Sequence, residues 1–573
     1  MALALVMLAA AAAALAAPAA AAAPAAAAAT PAANSNNKTK AKAPAAAQAR
    51  ASSAKAAAAK APRPAGPLAS SAILFYTKEY TEAQFGEPTT RCEQLLAAAR
   101  AEGGGADVNI VPTIYFEDFS APEGEPAAKS GPRASCRPDN WATVARVGRF
   151  CYKKTWDAPC LAPSKQEIAE FAGGLRRCVA TAEKLGFSRV LLSPHIDDAL
   201  GKGLWRNMVD FHPTEADAAG NSYWDVLLGP LVEAGAQAAK EAAAASRGAG
   251  NGASASPPFS VWLGLQGEMG RPVFSDPAAW SMAAAKSRQA WANAGASADA
   301  LKTGVLLPYK QIAGVNNYGP APAGDPLSEP ITALSRMGGS EKPLPLAQWP
   351  LAPSFAPRAP ALATLFRRDL DFFGVSNYVK APAPAVAPAD LDRAMRIAGD
   401  ELRLASEGAP GGALDLSALM RGADAARNKA GKPPLVGMWS EFGIGGGRSR
   451  CGDAPAKSAA EAGRWPHTGM FGAYAPEQDP WAGPNAFPGA KEYRLAFHAA
   501  ALELLARGGS DAFPLDSAYL WSLTSWDPQA VHPASRAQGG AARTGYWDGA
   551  VSGAIRAHNE RAAAAAAAAR TAR

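Results

Sequence analysis

From about residue 69 onward, short apolar runs alternate with amphipathic stretches along the whole chain. The clearest unit spans residues 164–195. Ser164 and Glu167 make a capping box, and Ile168, Phe171, Leu175, Val179 and Ala182 then recur at helical spacing. Gly186 stops that helix, and Val190, Leu191 and Leu192 form a buried strand that runs out at Pro194-His195. Similar strands are predicted at 72–76, 108–114, 261–265, 304–307, 372–376, 435–439 and 518–523, which with 189–193 makes eight. Helical patterns lie between most of them, at 278–293, 391–406, 415–430 and 491–507 among others. Eight strands in βα alternation predict a closed (β/α)8 barrel of the α/β class rather than an open sheet. The fifth strand is the weakest, because the IAGVNNYG that follows reads as strand too.

Before residue 69 the pattern is different. MALALVMLAAAAAALAAPAA is an apolar run followed by small residues, which reads as a signal peptide over 1–24. Pro18, Pro24 and the weak apolarity of alanine argue against a membrane anchor. Residues 25–68 are rich in Ala, Pro, Lys and Ser and have little to bury, so they read as a disordered linker. Asn37-Lys38-Thr39 within it is an N-glycosylation pattern if the chain is exported. The barrel domain is expected over 69–560 and an Ala/Arg-rich tail over 561–573. A span of about 490 residues is long for one barrel, where roughly 250 is usual. The excess sits in Pro/Gly-rich stretches such as 119–163, 319–360 and 444–490, read as loop insertions in one elaborated domain.

Composition then removes some function classes. The formal charge is +7. The linker's seven basic residues, from Lys38 to Arg63, account for it, and the rest of the chain carries as many basic as acidic side chains. A nucleic-acid partner is therefore not expected. The six cysteines, Cys92, Cys136, Cys151, Cys160, Cys178 and Cys451, are an even number behind an export signal. They allow up to three disulfides in 15 pairings. Cys136, Cys151 and Cys160 crowd one loop, so a bridge within that loop or to Cys451 is expected. No C-x-x-C occurs.

In a barrel, chemistry collects at the C-terminal ends of the strands. The strand ends here are His195-Ile196-Asp197, Gln266-Gly267-Glu268, Asn377-Tyr378, Ser440-Glu441-Phe442-Gly443, and Trp521 through Trp526-Asp527. The fourth and seventh strands each end in a lone glutamate. Glu268 and Glu441 can thus flank a bond over the barrel mouth, and paired carboxylates of unlike pKa are what glycoside cleavage requires. Taken alone, either glutamate is more often a solvated strand end or a partner for a barrel arginine.

These segments resemble clan A of the glycoside hydrolases. GKPPLVGMWSEFG (431–443) is similar to that clan's nucleophile strand, FFGVSNY (372–378) to its sixth strand and YLWSLTSWD (519–527) to its eighth. LLSPHIDDALGKGLWR (191–206) resembles the third strand of glycoside hydrolase family 113, the β-mannanases, and LGLQGE (263–268) its fourth. The resemblance runs in order over about residues 110–530 and is confined to strand ends. It implies a retaining β-glycosidase without cofactor, with Glu268 as acid/base and Glu441 as nucleophile. It also implies that Tyr378 hydrogen-bonds the nucleophile and that a tryptophan floors the cleavage subsite. Asn377 belongs to the same strand end and is a further substrate-binding candidate. One departure stands out: many members carry Asn before the acid/base, where it contacts the sugar 2-hydroxyl, and this chain has Gly267. Gln266 is the candidate for that contact.

Other readings stay open. His195 and Asp197 form an H-x-D metal half-site, but six histidines and no H-x-H at another strand end favour no metal. A sugar-hydroxyl clamp closed by Trp205 and Arg206 is the preferred reading, beside a structural histidine. Alternation lets only one of Trp521 and Trp526 face the pore, and Trp521 is preferred. Asn316, Asn317 and Tyr318 read equally as sugar contacts or as a turn. The expected protein is a secreted monomer acting on a β-linked polysaccharide, best a β-1,4-mannan type, with no membrane contact after signal cleavage. The alternative is an inactive barrel that binds wall polysaccharide as a lectin.

Overall fold

The chain divides into two units, Met1–Ala61 and Pro62–Arg573. The computed structural model describes residues 65–119, 145–248, 258–308, 358–379, 416–444, 490–509, 514–523 and 548–571, apart from 102, 104, 156, 203 and 205. All belong to the second unit.

Among the described residues, eight barrel strands are each followed by a helix. The strands are β1 (Leu68–Leu74), β2 (Asp107–Glu117), β3 (Arg189–Leu192), β4 (Ser260–Gly267), β5 (Leu301–Pro308), β6 (Phe372–Val379), β7 (Val436–Ile444) and β8 (Ser517–Leu523). After each in turn come α1 (Arg91–Ala101), α2 (Lys165–Lys184), α3 (Gly229–Gly248), α4 (Pro277–Asn293), α5 (Ala359–Thr364), α6 (Leu416–Lys429), α7 (Ala490–Ala506) and α8 (Gly549–Thr571). Every strand pairs in parallel with its sequence neighbours, and β1 pairs with both β2 and β8, so the sheet closes into a (β/α)8 barrel. The predicted helix 391–406 lies outside the described residues. The helix α8 continues through residues 561–571.

Local sequence accounts for the elements. At α2 the Ser164 hydroxyl accepts from the Glu167 N–H and the Glu167 carboxylate accepts from the Ser164 N–H, while Gly186 takes the left-handed conformation that ends the helix. The apolar stripe of α2 buries Phe171, Leu175 and Val179 against the barrel. Pro277 at the first turn and the Asp276 carboxylate on the Ala279 N–H start α4.

The barrel interior is packed in layers, as parallel barrels require. Near its base lie Ala69, Leu191, Leu306, Phe372, Met438 and Tyr519. Above them Asn109 donates to the Ser71 hydroxyl and the Ser440 carbonyl, both at 3.2 Å, and accepts from the Ser193 hydroxyl at 2.8 Å. This satisfied polar layer is a floor beneath the mouth. The pairing register shifts between Gly264 and Gly267 in β4, at Val375/Ser376 in β6, and between Trp439 and Phe442 in β7. Such irregularities at a barrel rim re-aim side chains, and here they fall beside the two glutamates.

The disulfide Cys151–Cys160 lies within the loop after β2, as the cysteine crowding predicts, and Cys92–Cys178 ties α1 to α2. Cys136 and Cys451 lie outside the described residues. Among the described residues, no helix is long and apolar enough to cross a membrane.

Candidate active site

Glu268 and Glu441 reach the same place from different backbones. Glu441 sits inside β7, paired in register with Ser376 of β6, and is 2% exposed. Glu268 is the first residue past β4 and has φ of 57°. A glutamate in the left-handed region costs on the order of 1–2 kcal/mol, because Cβ crowds the following carbonyl. Its N–H donates to the Leu306 carbonyl at 3.0 Å, which fixes the turn. Strain of this kind concentrates at functional positions.

His195 completes the cluster. It opens a short strand, His195–Asp198, that extends the line of β3 and pairs with residues 113–116 of β2. Its Nε2 lies 3.1 Å from Glu441 Oε1. One oxygen of Glu268, one of Glu441 and a ring nitrogen of His195 all lie within 4.8 Å of one another. Burial, aided by the Arg206 charge, pushes the His195 pKa down to about 3 against the pull of Glu268 and Asp197. The imidazole is therefore neutral at physiological pH. Trp521 of β8 stands beside it, ring centroids 6.2 Å apart and planes 25° from parallel.

Gly267 has a local reason. A Cβ there would come within 2.4 Å of His195 Cδ2 and 2.9 Å of the Pro194 carbonyl oxygen. Any side chain at position 267, asparagine included, would force the His195 ring or the Pro194 carbonyl to shift. Gln266 is fully buried and its side-chain oxygen accepts from the Met269 N–H at 2.9 Å, so that oxygen braces the turn around Glu268.

Asp197 and Arg206 pair with each other. The guanidinium donates to Asp197 through Nε (3.2 Å) and Nη2, and to Glu268 Oε2 through Nη1 at 2.9 Å. The expected hydroxyl clamp is thus, in the free protein, an ion-pair chain ending on a candidate catalytic carboxylate. Burial opposes the Arg206 charge, but Asp197 and Glu268 outweigh it and raise its pKa. Burial raises the Glu268 pKa, and the Glu441 charge adds to that; the Arg206 charge and the Ser376 hydroxyl oppose it. The two carboxyls share one buried space, which is the condition that separates their protonation states.

The spacing of His195, Glu268 and Glu441 would also suit a metal ion. The Arg206 guanidinium already occupies the cationic position on Glu268, so the donor set does not fit one well.

Three residues escaped the sequence reading. Ser376 faces Glu268, and strand alternation from Tyr378 could have pointed to it. Tyr76 and Tyr115, at the ends of β1 and β2, stack with centroids 6.5 Å apart. Burial raises the pKa of both phenols, Tyr76 to about 12, with the Asp197 charge contributing to each. They wall the Asp197 side of the mouth. Asn377 is buried. Trp205, Trp526 and Asn316–Tyr318 lie outside the described residues, as does the side chain of Tyr378.

No family model and no curated protein matches the chain. Solved structures do overlap it. An endo-β-1,4-mannanase from Thermotoga petrophila is 12% identical, with a TM-score of 0.32, covering 88% of this chain and 77% of its own. A glycoside hydrolase family 5 mannosidase from Rhizomucor miehei is 11% identical, with a TM-score of 0.33, covering 87% and 94%. A family 51 α-L-arabinofuranosidase from Bifidobacterium longum is 12% identical, with a TM-score of 0.31, covering 83% and 74%. These overlaps are too loose to bear on chemistry. The barrel itself rests on its strand pairing.

Proposed function

We propose that this protein is a secreted glycoside hydrolase that cleaves β-glycosidic bonds with retention, using Glu441 as nucleophile and Glu268 as acid/base. The supporting observation is the approach of the two carboxylates, with oxygens within 4.8 Å across the barrel mouth. Retaining pairs stand about 5–5.5 Å apart, whereas inverting pairs need roughly 6.5–9.5 Å to admit a water.

In the first step a Glu441 oxygen attacks the anomeric carbon. The bond to the leaving oxygen breaks, and Glu268 gives that oxygen its proton. In the second step a water adds to the anomeric carbon, its proton goes to Glu268, and the Glu441 carboxylate is released. Positioned acid–base transfer of this kind contributes about 10²–10⁴-fold. Neutral His195 beside Glu441 steers the nucleophile without protonating it, and the Trp521 indole offers a sugar face a flat apolar surface. The proposed substrate is a β-1,4-mannan-type polysaccharide, on the likeness of residues 191–206 and 263–268 to family 113 strand ends. Export, with cleavage near residue 24 and a linker to about 68, agrees with the two disulfides.

The test is hydrolysis of a panel of β-mannan, β-glucan and β-galactan, followed by proton NMR of the first product. The β-anomer should appear first, with mannan cleaved fastest. First appearance of the α-anomer contradicts retention. Tight binding with no cleavage of any glycan makes the protein a lectin.

A further inference from the structure

The two-step reaction asks Glu268 to be an acid and then a base, so what governs its carboxyl matters as much as where it lies; this inference rests on the glycosidase reading. The groups facing Glu268 come from several elements. Glu441 reaches it from β7, Ser376 from β6, His195 from the strand after β3, and Arg206 from the 3-10 turn Arg206–Met208. Behind Arg206 stands Asp197, with the Tyr76 and Tyr115 phenols around it. Among these groups Arg206 alone is positively charged, because His195 is neutral.

The Arg206–Glu268 bridge is held at both ends. Glu268 is fixed by its left-handed turn and its bond to Leu306. Asn207, next to Arg206 and fully buried, accepts from the Gly270 N–H at 2.6 Å, which ties the arginine's turn to the residue two past Glu268. The side chains are 16% and 12% exposed. Exposed ion pairs contribute little, since water and side-chain motion dissipate them, and neither applies here.

We propose that Arg206 is a positioning residue for Glu268 and that Asp197 meters it: one positive charge divided between two carboxylates leaves Glu268 able to release its proton in the first step and regain one in the second. With Arg206 bound to Glu268 alone, the carboxylate would be held ionised and the acid step would fail. With no arginine, burial and the Glu441 charge would hold it protonated and the base step would fail. Esterification of Glu441 by the sugar removes the like charge between the steps. The pull of Arg206 then prevails, and Glu268 becomes the base that the second step needs.

The experiment is carboxyl 13C NMR titration of Glu268 in the free full chain, with the resonance assigned by Glu268→Gln. In Arg206→Gln the titration should move upward by about 1–3 units, the range for loss of an adjacent opposite charge. Arg206→Lys should recover part of the shift. Asp197→Asn should move it downward, because Glu268 gains a larger share of the guanidinium and loses a nearby negative charge. In active protein the alkaline limb of kcat/KM, which reports the acid, should move in step with each variant.

An unmoved or lowered titration in Arg206→Gln, or a raised one in Asp197→Asn, overturns the proposal. If Arg206→Gln fails to fold, Arg206→Lys and Asp197→Asn decide it by the opposite signs of their shifts. The titration needs no substrate. Stated shifts without cleavage of any β-glycoside would sink the hydrolase reading alone. Cleavage with a titration indifferent to Arg206 would sink the positioning role alone.

Discussion

Two arginines, each held between two carboxylates, sit at opposite ends of the same barrel. At the N-terminal end Arg189, the first residue of β3, pairs with Asp107 of β2 and with Asp516 just before β8, and lies 4.8 Å from the Trp262 ring centroid. At the C-terminal end Arg206 pairs with Asp197 and Glu268. Burial opposes both cations, and their carboxylates raise both pKa values all the same. The surroundings differ. The lower arginine meets Asp107 on strand backbone and Asp516 just before a strand, and among the described residues no further carboxylate pairs with it. The upper one meets a glutamate in a left-handed turn, a further buried carboxylate in Glu441, and a histidine kept neutral. A buried ion pair alone is weak evidence of anything but a brace. Surplus negative charge, a strained backbone and a neutral histidine in one cleft mark the upper cluster as the candidate site and the lower one as a brace.

That comparison can be broken most forcefully at its lower end. Arg189→Met leaves Asp107 buried without its cation, and stability should fall by about 3–5 kcal/mol. The pH profile of activity should stay put. A loss below about 1 kcal/mol in urea unfolding, or a moved pH profile, would mean that the lower network is not a brace.

Gly267→Ala tests the upper end by crowding. The new methyl must displace His195 or the Pro194 carbonyl, at a cost of about 1–3 kcal/mol. Turnover should drop with the fold intact, because His195 can no longer stand against Glu441. Unchanged kcat together with an unchanged melting temperature would remove His195 from the site.

The smallest effect has an unusual sign. Glu268→Gly and Glu268→Ala both delete the carboxyl, but only glycine relieves the positive φ. The glycine variant should be the more stable of the two by about 1 kcal/mol, with hydrolysis lost in both. Equal melting temperatures would mean that the turn holds no strain worth keeping for function.

Much of the barrel was readable from the chain because it depends on local rules. The Ser164/Glu167 box, the Gly186 stop and the apolar runs of β3 and β4 are short-range signals, and the structure has them where the pattern puts them, whereas β7, read as 435–439, runs on to Ile444. The apolar pattern predicts a strand only over 108–114. The sheet carries β2 on to Glu117, which is why Tyr115 was missed. The contact of Arg206 with Glu268 spans 62 residues and has no sequence period, so only folding brings it into view. The strain at Glu268 was equally invisible, since glutamate is not a residue that signals a left-handed turn. Gly267 showed as a departure from a pattern, but its close neighbour, the His195 ring, needed the third dimension.

The central claim is that Glu441 becomes covalently bonded to the sugar. A 2-deoxy-2-fluoro-β-mannosyl fluoride forms that bond and then hydrolyses slowly, because the fluorine destabilises the positive charge of the second transition state. Intact-mass analysis should show one added sugar per chain, peptide mapping should place it on Glu441, and Glu441→Ala should take up none. A label on any other residue, or rapid mannan hydrolysis by a chain that never accumulates the adduct, would contradict the account.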